Sequence, residues 1–146
     1  MDVIKQLCEI QKLDIDIRDL DEEKRDIRSD LADRRRRIEK TSRKIEEEKK
    51  SFQNDQVGIK ERELEIADKR NRIDKYQHQL LNIKNNKEYR ALLSEIEGLK
   101  ADIRILEDDL LELMQKAEDD REEWNKSRKK MAEVENGLDE IEKRAE

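Results

Sequence analysis

Three groups of residues in this 146-residue chain have types and spacing that could do chemistry. Arg34, Arg35, Arg36 and Arg37 form the densest basic run, with Arg43 and Lys44 close behind, and a second run holds Lys126, Arg128, Lys129 and Lys130. Cations crowded in this way attract phosphates or acidic protein surfaces. The opposite sign gathers at Glu107, Asp108, Asp109, Glu112, Glu118, Asp119, Asp120, Glu122 and Glu123. Carboxylates can hold a divalent cation, but no glycine-turned loop of the calcium-binding type accompanies them, so a solvated acidic face pairing with Lys49, Lys50 and Lys60 is the expectation. The third group, Asn85, Lys87, Tyr89 and Arg90, puts polar and aromatic side chains within six residues. His78 is the sole histidine and stands away from any acid or thiol arrangement; Cys8 is the sole cysteine, so these residues can form neither an internal disulfide nor a cysteine zinc site. With no glycine-rich phosphate loop, no nucleophile beside a histidine base and no metal-ligand spacing, the expected activity is binding and not catalysis.

The elements that position these groups follow from composition. Charged residues make up 51% of the chain, hydrophobic residues 33% and aromatic residues 3%; proline is absent and glycine occurs three times. Large side chains are too few to fill a globular core of ordinary kind, whereas long helices with a periodic apolar seam need only two apolar places in seven. No apolar run approaches the eighteen or so residues of a membrane span, and the N-terminus lacks a basic region followed by an apolar stretch, so a cytoplasmic location is expected. The net charge of −6 disfavours indiscriminate binding to nucleic acid, which leaves local basic patches as its only route.

The apolar residues are periodic. Steps of seven from Val3 pass through Ile10, Ile17, Lys24, Leu31, Ile38, Ile45, Phe52, Ile59, Ile66, Ile73 and Leu80, eleven apolar residues in twelve places. This is a heptad a row. Its d row is apolar at Leu13, Leu20 and Ile27, polar from Arg34 through Thr41, Glu48, Asp55, Arg62 and Lys69, and apolar again at Tyr76 and Ile83. A second register starts at Tyr89 and runs through Ile96, Ile103, Leu110, Ala117, Trp124, Met131, Leu138 and Ala145, with d partners Leu92, Leu99, Leu106, Leu113, Asp120, Ser127, Val134 and Ile141. Fifteen of its seventeen places are apolar and the repeat does not slip, which predicts one unbroken helix. Trp124 reads as a core residue near Ile45, flanked by Asp120 and Ser127, polar seam residues of the kind that fix register.

The phase breaks between Asn82 and Glu88. Asn85 suits an N-cap, with Glu88 three residues on to complete a capping box. The expected architecture is therefore all-α: a long antiparallel two-helix coiled-coil hairpin, with helix 1 over about residues 2–82, a tip at about 83–86 and helix 2 over about 87–145. Residues whose numbers total about 168 then face each other. The loop-like stretch Asn54-Asp55-Gln56-Val57-Gly58 keeps the a row in phase from Phe52 to Ile59, so it reads as a kink or weak point; a true turn there, giving three shorter helices, is the alternative.

The stretch from Leu80 through Asn85-Asn86-Lys87-Glu88-Tyr89-Arg90-Ala91-Leu92-Leu93-Ser94-Glu95-Ile96-Glu97 resembles the signature of a bacterial family of coiled-coil proteins with a C-terminal four-cysteine zinc ribbon. In that family an Asn-Lys-Glu-Tyr or Asn-Pro-Lys-Glu element precedes an Ala-Leu-x-x-Glu-Ile-Glu helix start. The resemblance covers the chain in length and pattern, and its specificity rests on about fifteen residues. It implies a scaffold or chaperone-like adaptor linked to the alternative sigma-54 factor, to flagellar and type III secretion components, and to nucleic acid. Zinc belongs to the family's ribbon, whose paired Cys-x-x-Cys motifs do not occur here, so no cofactor is expected in these residues and the chain reads as a fragment or a short member.

Three surfaces become candidates for partners. Under the 168 register, Val3, Leu7, Ile10, Leu13, Ile17 and Leu20 lack an intramolecular partner, and an apolar stripe of this kind calls for a cover: a missing C-terminal piece or a second chain. The same register brings the two basic runs together on the shaft, where an acidic protein surface or nucleic acid would offset their repulsion; solvated charge with Asp33, Glu39 and Glu133 nearby is the plainer reading, and no aromatic residues interleave the patch for base stacking. The tip residues Asn85, Lys87, Tyr89 and Arg90 are the third surface, against the simpler reading that Asn85 caps and Tyr89 packs. Rival functions are a type III export stalk with exposed apolar ends and a structural coiled coil that homodimerises through the stripe.

Overall fold

The computed structural model describes residues 2–145. Two helices account for nearly all of them, α1 over Asp2–Leu80 and α2 over Asn86–Ala145. The reason lies in composition and phase together: Glu, Lys, Arg, Leu and Ile fill both segments, no proline interrupts the amide ladder, and the apolar stripe gives each helix one face to bury. Among the described residues there is no strand and no positive-φ backbone.

The chain divides into two compact units, each built from a piece of both helices: residues Glu47–Asn125 form one, and residues up to Glu46 together with those from Lys126 onward form the other. In the first, the two helices pack antiparallel as a hairpin around Ile66, Ile73, Ile96, Leu99 and Ile103, with Tyr76, Leu80, Leu106 and Leu110 against them. All nine are a-row or d-row residues, so the heptads found the buried face. The polar d places face inward as well: Asp55 is 5% exposed, and Arg62 and Lys69 are half-buried.

Helix α1 ends two residues earlier than its pattern suggests. The amides of Leu81 and Asn82 fall back on the carbonyls of His78 and Gln79, at 3.3 and 3.1 Å, a tightened last turn that closes the helix at Leu80. Asn85 then caps α2: its Oδ1 accepts from the Lys87 amide at 2.9 Å, and its carbonyl from the Tyr89 amide at 3.0 Å.

Asn54–Gly58 is neither turn nor loop but part of α1. An in-phase a row on either side outweighed the local loop preference of Asn, Asp and Gly. Gly58 has a packing reason to be glycine, because a Cβ there would stand 3.0 Å from Leu113 Cδ2 on α2.

The register differs from expectation. Asp55 meets Lys116, Ser51 meets Asp120 and Gly58 meets Leu113, pairs whose numbers total 171, while Arg70 meets Glu107 with a total of 177. The connection over residues 81–85 thus lets α2 run roughly one turn further before it meets α1. As a result Tyr89, first of the second a row, is 40% exposed, whereas Ile96 one heptad later is 3% exposed.

Candidate interaction surfaces

The apolar end stripe is where the sequence places it and is bare. Val3, Leu7, Ile10, Leu13, Ile17 and Leu20 are 53–66% exposed, and every residue from 2 to 26 is exposed. In the same unit α2 reaches α1 only further along. The Arg34 guanidinium lies over Gly137, where a Cβ would stand 2.5 Å from Nη1, and Arg35 pairs with Glu142 at 3.5 Å. Six large apolar side chains on one face of a helix, left in water, form a contiguous patch of the sort that binding surfaces use.

The first two arginines of the basic run do not stand beside the second run. Arg34 stands against Gly137 and Arg35 against Glu142, and not beside Lys126, Arg128, Lys129 and Lys130. From Lys130 to Gly137 is about 10 Å along the helix. Arg34 Nε is also 3.5 Å from Asp30, and Arg36 is 3.8 Å from Asp33. Three of the four arginines are therefore beside carboxylates, and Arg37 is an exposed cation. Of the second run, Lys129 and Lys130 are exposed, and Lys126 and Arg128 have interactions of their own.

At the tip Asn85 has a structural role as the cap of α2, while Lys87, Tyr89 and Arg90 project from its exposed first turns. The half-exposed Tyr89 ring supplies apolar area and a hydroxyl in one side chain, and two cations stand beside it.

A fourth feature, a polar cluster in the seam of the Glu47–Asn125 unit, escaped the reading of the sequence. Lys116 Nζ donates to Asp55 Oδ1 at 2.8 Å and to Asp120 Oδ2 at 3.0 Å, and Ser51 Oγ donates to Asp120 Oδ2 at 3.1 Å. Burial first, and hydrogen bonding with Asp120 second, push the Asp55 carboxyl above the usual carboxylate range. The same hydrogen bond, with help from Lys116 and Ser51, holds Asp120 below it, and the two carboxylates hold the Lys116 ammonium above its ordinary value. Asp55 Oδ2 is buried without a donor. This chemistry suits register, since any slip of one helix against the other strands a buried carboxylate. The signal was present in the sequence: Asp55 and Asp120 both occupy d places, and Lys116 precedes Asp120 by four residues on one helix face.

Trp124 is half-buried and packs on Phe52, ring centroids 5.9 Å apart and tilted by 32°. Its assignment to the core stands, and its neighbour follows the shifted register, Phe52 in place of Ile45. Cys8 and His78 are exposed. Among the described residues no three His, Cys, Asp or Glu side chains gather as a metal site requires, and no helix is long and apolar enough to cross a membrane. Comparison with protein-family models, with curated proteins and with solved structures gives no match to this chain.

Proposed function

We propose that the chain is a non-enzymatic coiled-coil scaffold, an adaptor that offers helical surfaces to a protein partner. One observation carries the reading: Val3, Ile10, Leu13, Ile17 and Leu20 of the a and d rows, with Leu7 beside them, form an apolar seam that stands in water. Leaving six such side chains exposed forgoes about 1.5 kcal/mol or more apiece, which a docked partner would recover. The polar cluster and the Asn85 cap hold the hairpin of the Glu47–Asn125 unit. The resemblance of the tip motif to bacterial zinc-ribbon coiled-coil proteins supports placing the partner among sigma-54, flagellar or type III secretion components of the cytoplasm. Nucleic acid ranks below protein, because the first basic run lies beside carboxylates.

The test is site-specific photo-crosslinking in the native cell from Ile10, Leu13 and Ile17 on the seam and from Ile15 on the outer face. The expected result is one defined protein joined from the three seam positions and not from Ile15. That protein should then bind the purified chain and lose its hold on Ile10→Asp. Identical products from all four positions, or none from any, overturn the reading.

A further inference from the structure

Apart from Leu7, the side chains flanking the open seam are all acidic. With the a row at Val3, Ile10 and Ile17, the g places hold Asp2, Glu9, Asp16 and Glu23, and the e places hold Leu7, Asp14 and Asp21. The basic residues of the segment, Lys5, Lys12 and Arg18, occupy the outer b and c places, away from any helix laid on the seam. All of these positions are exposed in helix α1.

We infer that the Val3–Leu20 seam is the docking site of an amphipathic helix from another protein, one that lays Leu or Ile into the seam and carries Lys or Arg on both flanks. The inference rests on the scaffold reading and adds the chemistry of the partner. In a two-stranded coiled coil the flanking rows decide which helix is accepted. A second copy of this segment is refused in either direction. Laid parallel, Glu9 would face Asp14 of the other copy and Asp16 would face Asp21; laid antiparallel, the g rows would face each other, acid to acid along the whole length. An anionic membrane surface is refused for the same reason, since helices that lie on such surfaces carry basic flanks beside the apolar face. A helix with basic flanks meets a carboxylate at each of the six acidic places and covers the seam.

The experiment uses the full chain and three synthetic helical peptides, read by fluorescence anisotropy. The first has Ile at a, Leu at d and Lys at e and g; the second keeps that seam with Glu at e and g; the third keeps the lysines on an alanine seam. The Lys-flanked peptide should bind at least about tenfold tighter than the Glu-flanked one at low salt, with the gap closing at high salt, and the alanine-seam peptide should bind weakly. The Ile10→Asp, Ile17→Asp variant should lose the first peptide. The Asp14→Lys, Asp16→Lys variant, which keeps the seam, should shift its preference toward the second. Equal binding of the first two peptides, or binding of the alanine-seam peptide as tight as the first, overturns the inference. So does a dimer of the chain alone that Ile10→Asp dissolves, or seam-dependent binding to phosphatidylserine vesicles. A cellular partner that crosslinks to the seam through an acidic-flanked helix would sink this inference and leave the scaffold standing, whereas peptide selectivity without any cellular crosslink would do the reverse.

Discussion

Ile66 and Ile10 are the same side chain on the same row of the same helix, eight heptads apart, yet Ile66 is 4% exposed and Ile10 is 53% exposed. The difference lies in what stands opposite. Ile66 packs in a cluster with Ile96, Leu99 and Ile103 of α2, while the segment around Ile10 has water on the same face. The pattern of apolar residues inverts the outcome one would guess from α1 alone: the end stripe is apolar at five of its six a and d places and open, whereas the closed hairpin accepts Asp55, Arg62 and Lys69 on its d row. A seam's composition states a capacity for burial, and the second helix decides where it is realised.

The sharpest way to break this contrast is to truncate both isoleucines. Ile66→Ala removes buried methyl groups and leaves a cavity between two helices, so it should cost about 2–4 kcal/mol in urea denaturation followed by circular dichroism. Ile10→Ala removes methyl groups that water already touches and puts a better helix former in place, so its effect should stay within about 0.5 kcal/mol of zero. Comparable losses from the two would show that the end stripe is covered in solution.

The polar seam sharpens the contrast from the other side. Asp55→Leu replaces a buried carboxylate by the residue that d places favour, and leaves Asp120 with Lys116 and Ser51. At neutral pH the variant should be more stable than the parent by about 1 kcal/mol, since buried ionic groups often give way to apolar ones at a profit in stability. The pH dependence has a definite sign. Asp55 is held above its ordinary value, so its contribution is full below that value and is lost as pH rises through the folded one; Asp120 is held below, so its contribution is present above the ordinary value and lost as pH falls through the folded one. The advantage of Asp55→Leu over the parent should therefore grow as pH rises out of the acid range. A constant advantage across that range would mean that Asp55 ionises in the folded chain as it does in the unfolded one.

The heptad rows were enough to name Ile66, Ile73, Ile96, Leu99 and Ile103 as core, capping chemistry to name Asn85, and the antiparallel pairing sum to leave Val3 to Leu20 bare. None of these could supply the register, because the path of the five residues between the helices is set by local backbone conformation and not by any period. The shifted register put Trp124 on Phe52 in place of Ile45. Lys116 was missed for a related reason: it sits beside the seam, outside both rows, and joins the buried acids only through the reach of its long side chain. Site chemistry on a coiled coil is legible in the flanking rows as much as in the seam, and those rows gain meaning only once the open and closed stretches are known.

Two glycines in α-helices test whether close packing is confined to the closed hairpin's seam. A Cβ at Gly98 meets nothing within 4 Å, so Gly98→Ala should stabilise by about 1 kcal/mol through helix propensity alone. Gly58→Ala has the same propensity to gain but must displace Leu113 Cδ2 from 3.0 Å, so its gain in melting temperature should fall clearly short of that of Gly98→Ala. Equal gains would mean that the helices near Gly58 have room to part.

The smallest effect belongs to the charged flanks of the closed hairpin, and it bears on the flanks of the open seam. Arg70 Nη2 donates to Glu107 Oε1 at 2.6 Å, with the two side chains 62% and 44% exposed. Water screens a pair so placed, and ordering two long side chains offsets part of the attraction, so Arg70→Met should cost no more than about 0.5 kcal/mol, and less in high salt. An effect this small is what allows flanking charges to choose a partner without being needed for cohesion: each pair adds little, six acids along one seam add a preference, and the apolar rows between them supply the adhesion. A loss above about 1 kcal/mol at Arg70 would reverse that division, and charge would then have to be counted among the forces that close the seam.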